Sequence, residues 1–152
     1  MVAILSLVSA PVAAQQTLDF QLHGLATVSA SRFTGGGVGI GLRPPGRSRV
    51  ALTASAGDLD GRVAGRVEGV LSFHLNPGRE RGFVPYAATG LAADITRQAT
   101  TGYVEVLLGV EERPGRRTGL FLEVGIGGGM RVAAGYRLRW GKGINRGPRG
   151  AP

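Results

Sequence analysis

From Thr17 onward, apolar residues recur at every second position, the period of an extended strand with two unlike faces. The clearest run is 62–75. Val63, Val67, Leu71, Phe73 and Leu75 share one face with Gly65 and Gly69, while Arg62, Arg66, Glu68, Ser72 and His74 share the other. Near the end of the chain, Val132, Ala134, Tyr136, Leu138 and Trp140 alternate with Arg131, Arg137 and Arg139 in the same way. The pattern predicts eight strands, at about 18–33, 37–43, 48–57, 62–75, 83–95, 103–111, 119–127 and 131–140. Long helices are disfavoured because glycine, at 27 residues, is scattered through the segments and costs ~1 kcal/mol per helical position.

The connections alternate in chemistry. The second, fourth and sixth carry Pro-Gly turns, at Pro45-Gly46, Pro77-Gly78 and Pro114-Gly115; the others lack proline. Proline presets φ and glycine supplies a positive-φ position, so each pair marks a tight turn. An even number of strands with two distinct ends is the layout of an all-β, up-and-down antiparallel meander closed into an eight-stranded barrel.

Alternation alone leaves open which face is inside. A soluble barrel places its apolar face inward, and a membrane barrel places it outward. If the charged faces point inward, the interior holds Asp19, Glu68, Asp94, Glu105, Glu111 and Glu123 against Arg49, Arg62, Arg66, Arg131, Arg137 and Arg139. That interior is charge-balanced, and the chain's net charge of +8 falls to the turns and tail. No multiply charged strand puts a charge on its apolar face, which matters in lipid, where an outward Arg near the midplane costs ~2–4 kcal/mol. A barrel of eight strands has a lumen that side chains fill, so the buried charges must pair there.

The N-terminal stretch Val2–Ala14 is 13 residues of apolar and small character, too short for a helical span of ~20 residues. It ends in Val12-Ala13-Ala14, small residues of the kind a signal peptidase reads. The expected organisation is a signal peptide over 1–14, a barrel over 15–140 and a basic, disordered tail over 141–152. With no cysteine there is neither a disulfide framework nor a thiolate metal site. No metal or other cofactor is expected.

Residues 133–140 read AAGYRLRW. Gly135, Tyr136, Leu138 and Trp140 resemble the C-terminal insertion signal of bacterial outer-membrane proteins, although Ala133 stands where that signal has a polar residue and twelve residues follow Trp140. Phe83–Leu91, FVPYAATGL, is similar to the Pro-Tyr…Gly strand of small outer-membrane barrels. On these motifs the chain resembles the OmpA/OmpX-like eight-stranded outer-membrane β-barrel family. The resemblance implies a monomeric, transmembrane barrel in a Gram-negative-type outer membrane, inserted through its last strand by the barrel-assembly machinery. Both termini and the Pro-Gly turns would face the periplasm. The loops near 33–37, 57–62, 96–102 and 127–131 would be extracellular, and their shortness weakens an adhesin role. Phe20, Phe33, Phe73, Tyr103 and Trp140 would anchor at the membrane interfaces.

The expected role is therefore non-enzymatic: structural, surface-binding or a narrow channel, with the interior ion pairs acting as a plug or a gate. The alternative is a secreted soluble barrel with an apolar interior and an apolar ligand. A third reading joins Ser72, His74 and Glu68 as nucleophile, base and orienter of a lipid-modifying hydrolase. Small barrels of that kind place His before Ser and face their site to lipid, whereas here the order is reversed and the face is inward. His23 is expected to make an interior polar contact. The basic residues Arg43, Arg47, Arg79, Arg81, Arg113, Arg116, Arg117, Lys142, Arg146 and Arg149 suggest membrane-lipid phosphates as partners. They lie in turns without interleaved aromatics, which argues against nucleic acid. The glycine-rich 35–41 is not followed by a helix signal and is no phosphate loop.

Overall fold

The computed structural model describes residues 16–141. The expected signal peptide, and all of the expected tail beyond Gly141, lie outside the described residues. Eight strands run in chain order: β1 Thr17–Val28, β2 Arg32–Arg43, β3 Ser48–Leu59, β4 Arg62–His74, β5 Phe83–Ile95, β6 Thr100–Glu112, β7 Thr118–Ile126 and β8 Met130–Trp140. Each pairs antiparallel with its neighbours, and β1 pairs with β8 to close the barrel. Closure leaves no lateral edge for another chain to extend.

The two ends are built differently. At the hairpin end, β3 passes to β4 through Asp60-Gly61, with φ of 51° and 82°. Two successive positive φ values make the turn whose twist matches paired strands, and Asp-Gly is suited to it. The Asp58 carboxylate accepts the Gly61 N–H at 2.8 Å, and Asp60 accepts that of Arg32 at 2.8 Å. At the other end lie the start of β1, the end of β8 and the three Pro-Gly turns. There the β4–β5 and β6–β7 turns are tied together, since Gly115 N–H donates to the Arg79 carbonyl and Arg113 N–H to that of Gly82, both at 2.9 Å.

The expected break between the first two strands is misplaced. The chain turns at Ser29–Ser31, and Gly35, Gly36 and Gly37 lie inside β2, paired with both β1 and β3. A glycine triplet looks like a loop, but here it lets the wall close tightly. A Cβ at Gly37 would fall on the Ala54 carbonyl oxygen and 2.8 Å from Ser55 Cα. Gly37→Val is expected to cost about 1–3 kcal/mol through overpacking, seen as a lower urea midpoint for loss of the folded barrel.

One seam is short. β6 pairs with β5 from Thr100 to Glu112, but with β7 only from Val106 to Glu111. Inside the barrel there are two small apolar patches. Leu25, Phe33, Ala64 and Ala133 form one toward the hairpin end, and Val70, Tyr86, Ala88 and Leu107 form the other lower down. Phe33 is therefore no interface anchor: it is fully buried. Tyr103 is also inward of that role, half-buried with the Arg66 guanidinium 5.8 Å from its ring. Phe20, Phe73 and Trp140 do face outward.

Candidate functional site

Alternation places one side chain in two of every strand inside a lumen too narrow for water to solvate charge, so each inward ion needs a protein partner. Among the described residues the buried ions are Asp19, Glu68, Asp94, Glu105, Glu111 and Glu123, with Arg43, Arg49, Arg66, Arg131, Arg137 and Arg139. The two signs are equal in number. Arg62 is not among them. It stands at the hairpin-end rim, exposed, where its guanidinium donates to Gln98 Oε1 at 3.1 Å. Arg43, expected in a turn facing lipid phosphates, takes its place. It closes β2 on the inward face and donates to Glu111 at 3.2 Å.

Two hubs organise the network. In the hairpin-end half, Arg66 donates to Glu68 at 2.7 Å, Asp94 at 2.8 Å, Glu105 at 2.6 Å and the Gly127 carbonyl at 2.9 Å. Arg131 donates to both oxygens of Glu68, at 3.1 and 2.8 Å, and to Glu123 at 2.9 Å. In the terminal half the hub is Glu111. It accepts from Arg43 and from Arg137 at 2.9 Å, from Arg139, and meets His74 Nε2 at 2.6 Å. Glu123 joins the halves, since its other oxygen takes Arg137 at 3.1 Å and the Tyr86 hydroxyl at 2.7 Å. Arg49 pairs with Asp19 through two bonds, at 2.8 and 2.6 Å, and reaches Gln21.

Several of these bonds cross the whole lumen. In a ring of eight, β4 faces β8 and β2 faces β6. Arg131–Glu68 joins the first pair and Arg43–Glu111 the second. The lumen is thus bridged at two heights. Aromatic rings back the bridges: His74 stacks on Tyr86 with centroids 4.5 Å apart, and the Arg137 guanidinium lies 4.1 Å from the Phe121 ring centre. Sequence reasoning missed Tyr86 and Gln21 as partners. Their inward parity is visible in the sequence, but the spacing across the barrel that brings them to Arg137 and Arg49 is not a local pattern.

The structure does not assemble a hydrolytic relay. The Ser72 hydroxyl donates to the Arg49 carbonyl at 3.4 Å, His74 is held by Glu111, and Glu68 is engaged by Arg66 and Arg131. His23 Nε2 lies 2.9 Å from Ser55 Oγ. Among the described residues, no group of His, Asp and Glu is arranged to hold a metal ion.

The outer wall is the complement of the inside. Val38, Ile40, Leu52, Leu71, Leu91, Val104, Val106, Leu108, Leu122 and Val124 are exposed along its height. The strand charges on this face, Arg32, Asp58 and Glu112, stand at or next to strand ends. Of the last strand's motif residues, Tyr136, Leu138 and Trp140 alternate outward, and Gly135 packs inward beneath Phe121 and His23.

The fold has a known counterpart. The crystal structure of the N-terminal beta-barrel domain of Pseudomonas aeruginosa OprF matches with a TM-score of 0.63 at 15% sequence identity, covering 82% of this chain and 97% of that one. No family model and no curated protein matches the sequence. The likeness shows the closed eight-stranded antiparallel barrel.

Proposed function

We propose that this chain is a monomeric, non-enzymatic barrel of a Gram-negative-type outer membrane, exported by its N-terminal segment and inserted through β8 by the barrel-assembly machinery. Its role is structural, with the lumen held shut by the ion-pair network. The observation that carries the reading is the inverted polarity: among the described residues, twelve buried ions inside and an apolar belt outside. A soluble barrel with an apolar ligand needs the opposite arrangement. The dimensions suit a bilayer. A strand of ~12 residues rising ~3.3 Å each and tilted by ~40° covers ~30 Å, about one hydrocarbon core. The OprF likeness supports the same reading at the level of fold.

Membrane fractionation of expressed protein, with boiled and unboiled samples run on a detergent gel, tests it. Recovery with the outer membrane and a band whose mobility shifts on heating is the expected result. Recovery in the soluble periplasm without a shift would overturn it.

A further inference from the structure

The belt is not evenly filled. On the side where β5, β6, β7, β8 and β1 meet, the outer wall sinks into an apolar groove of about 910 Å³. Leu22, Phe83, Leu120, Leu122 and Tyr136 flank it, and Gly24 lies on its floor. Gly24 is paired with Ala134 on β8 and Gly36 on β2, so small residues continue the depression sideways. A Cβ on Gly24 would meet nothing within 4 Å, so wall packing does not demand glycine there.

The foot of this groove, at the proline end, is strongly basic. Phe83 follows Arg81 by two positions, and Leu120 follows Arg117 by three. The Arg113 N–H donates to the Gly82 carbonyl beside Phe83, which fixes the two turns side by side. Together they carry Arg79, Arg81, Arg113, Arg116 and Arg117 against Glu80 and Glu112. Glu112 pairs with Arg113 at 2.9 Å and Glu80 stands 4.0 Å from Arg116. The cluster stays cationic, and the Arg81 and Arg117 side chains are exposed.

We propose that this groove and its arginines form a binding site for one anionic diacyl phospholipid of the leaflet at the proline end. The acyl chains lie along Leu22, Leu122 and Tyr136, and the phosphate lies among Arg81, Arg113 and Arg117. The two halves of the site match the two halves of such a molecule: an apolar trough in the belt and a cation cluster where that trough reaches the interface. Near-surface arginines attract anionic headgroups, and a lipid held by both parts outlasts the general annulus. The proposal rests on the membrane reading above.

Native mass spectrometry of the full chain released from detergent, with added phosphatidylglycerol or phosphatidylcholine of identical chains, tests it. The expected result is a retained phosphatidylglycerol adduct favoured over phosphatidylcholine by roughly tenfold, a preference that Arg81→Gln/Arg117→Gln abolishes. Gly24→Leu, which fills the trough, should reduce retention of both lipids; Ala134→Leu serves if that variant fails to fold. Equal retention of the two lipids by the wild-type chain overturns the site, and so does displacement of phosphatidylglycerol by inorganic phosphate, which would show that the trough takes no part. The heat-shift gel on the same samples separates the two readings. A missing shift sinks the membrane assignment, whereas an intact shift without lipid preference sinks only this site.

Discussion

Replacing Glu111 with glutamine is expected to destabilise the folded barrel by about 3–5 kcal/mol, the cost of leaving a buried ion network uncompensated. Glutamine keeps the side chain's shape and one carbonyl oxygen, so what is removed is the charge and one of two oxygens that both accept. That charge serves Arg43, Arg137 and Arg139 together, and the same carboxylate holds His74. Arg137 retains Glu123, whereas among the described residues Arg43 and Arg139 form their ion pairs with Glu111. Urea unfolding of reconstituted protein, followed by tryptophan fluorescence from Trp140, reads the loss. The companion variant Glu111→Gln/Arg43→Met restores equal numbers of buried acids and bases, and it should recover part of the stability. Strictly additive effects in this pair would show that Glu111 is not the shared anchor of the terminal half.

Val106→Arg is expected to cost about 2–4 kcal/mol in lipid, because a guanidinium at the middle of an outward face has no partner and no water. Val106 is the central residue of β6 and is 52% exposed on the outer wall. Arginine at Val28, on the same face but at the end of β1, should cost only about 0–1 kcal/mol, since the side chain reaches the interface. The contrast between the two positions is the diagnostic quantity. Unfolding in vesicles gives it directly, and equal, near-zero costs at both sites would mean that the apolar wall faces water rather than hydrocarbon.

The sequence made the barrel readable where strands carry several charges. In β4 and β8 the ionic residues are always separated by an even number of positions, so parity, facing and approximate ends emerge together. It was less readable in β2, where Gly35, Gly37, Gly39 and Gly41 erase the inward face and leave nothing for periodicity to register. Counting on by twos from Phe33 would have carried the inward series through those glycines to Arg43, but the adjacent Pro44 made Arg43 look like part of the turn. Arg62 fails for the converse reason. Its parity is that of Arg66, but at the first position of β4 the lumen has already opened to solvent. Phe33 and Tyr103 were assigned by residue type, and the alternation that puts Tyr103 on the face of Glu105 outweighs type. The particular partnerships, such as Glu68 with Arg131, depend on which strands oppose one another across the ring, and no local pattern encodes that distance.

The unequal ladders around the wall give the cylinder a mechanical weak line. One might look for it where first and last strands meet, yet β1 and β8 stay zipped from Leu18–Trp140 to Val28–Met130. Two seams away, β6 and β7 share only the stretch from Val106 to Glu111. Lateral tension across the wall would therefore part the staves at β6 and β7 before it opened the joint between the first strand and the last, so the place where the cylinder closes is not the place where it is weakest.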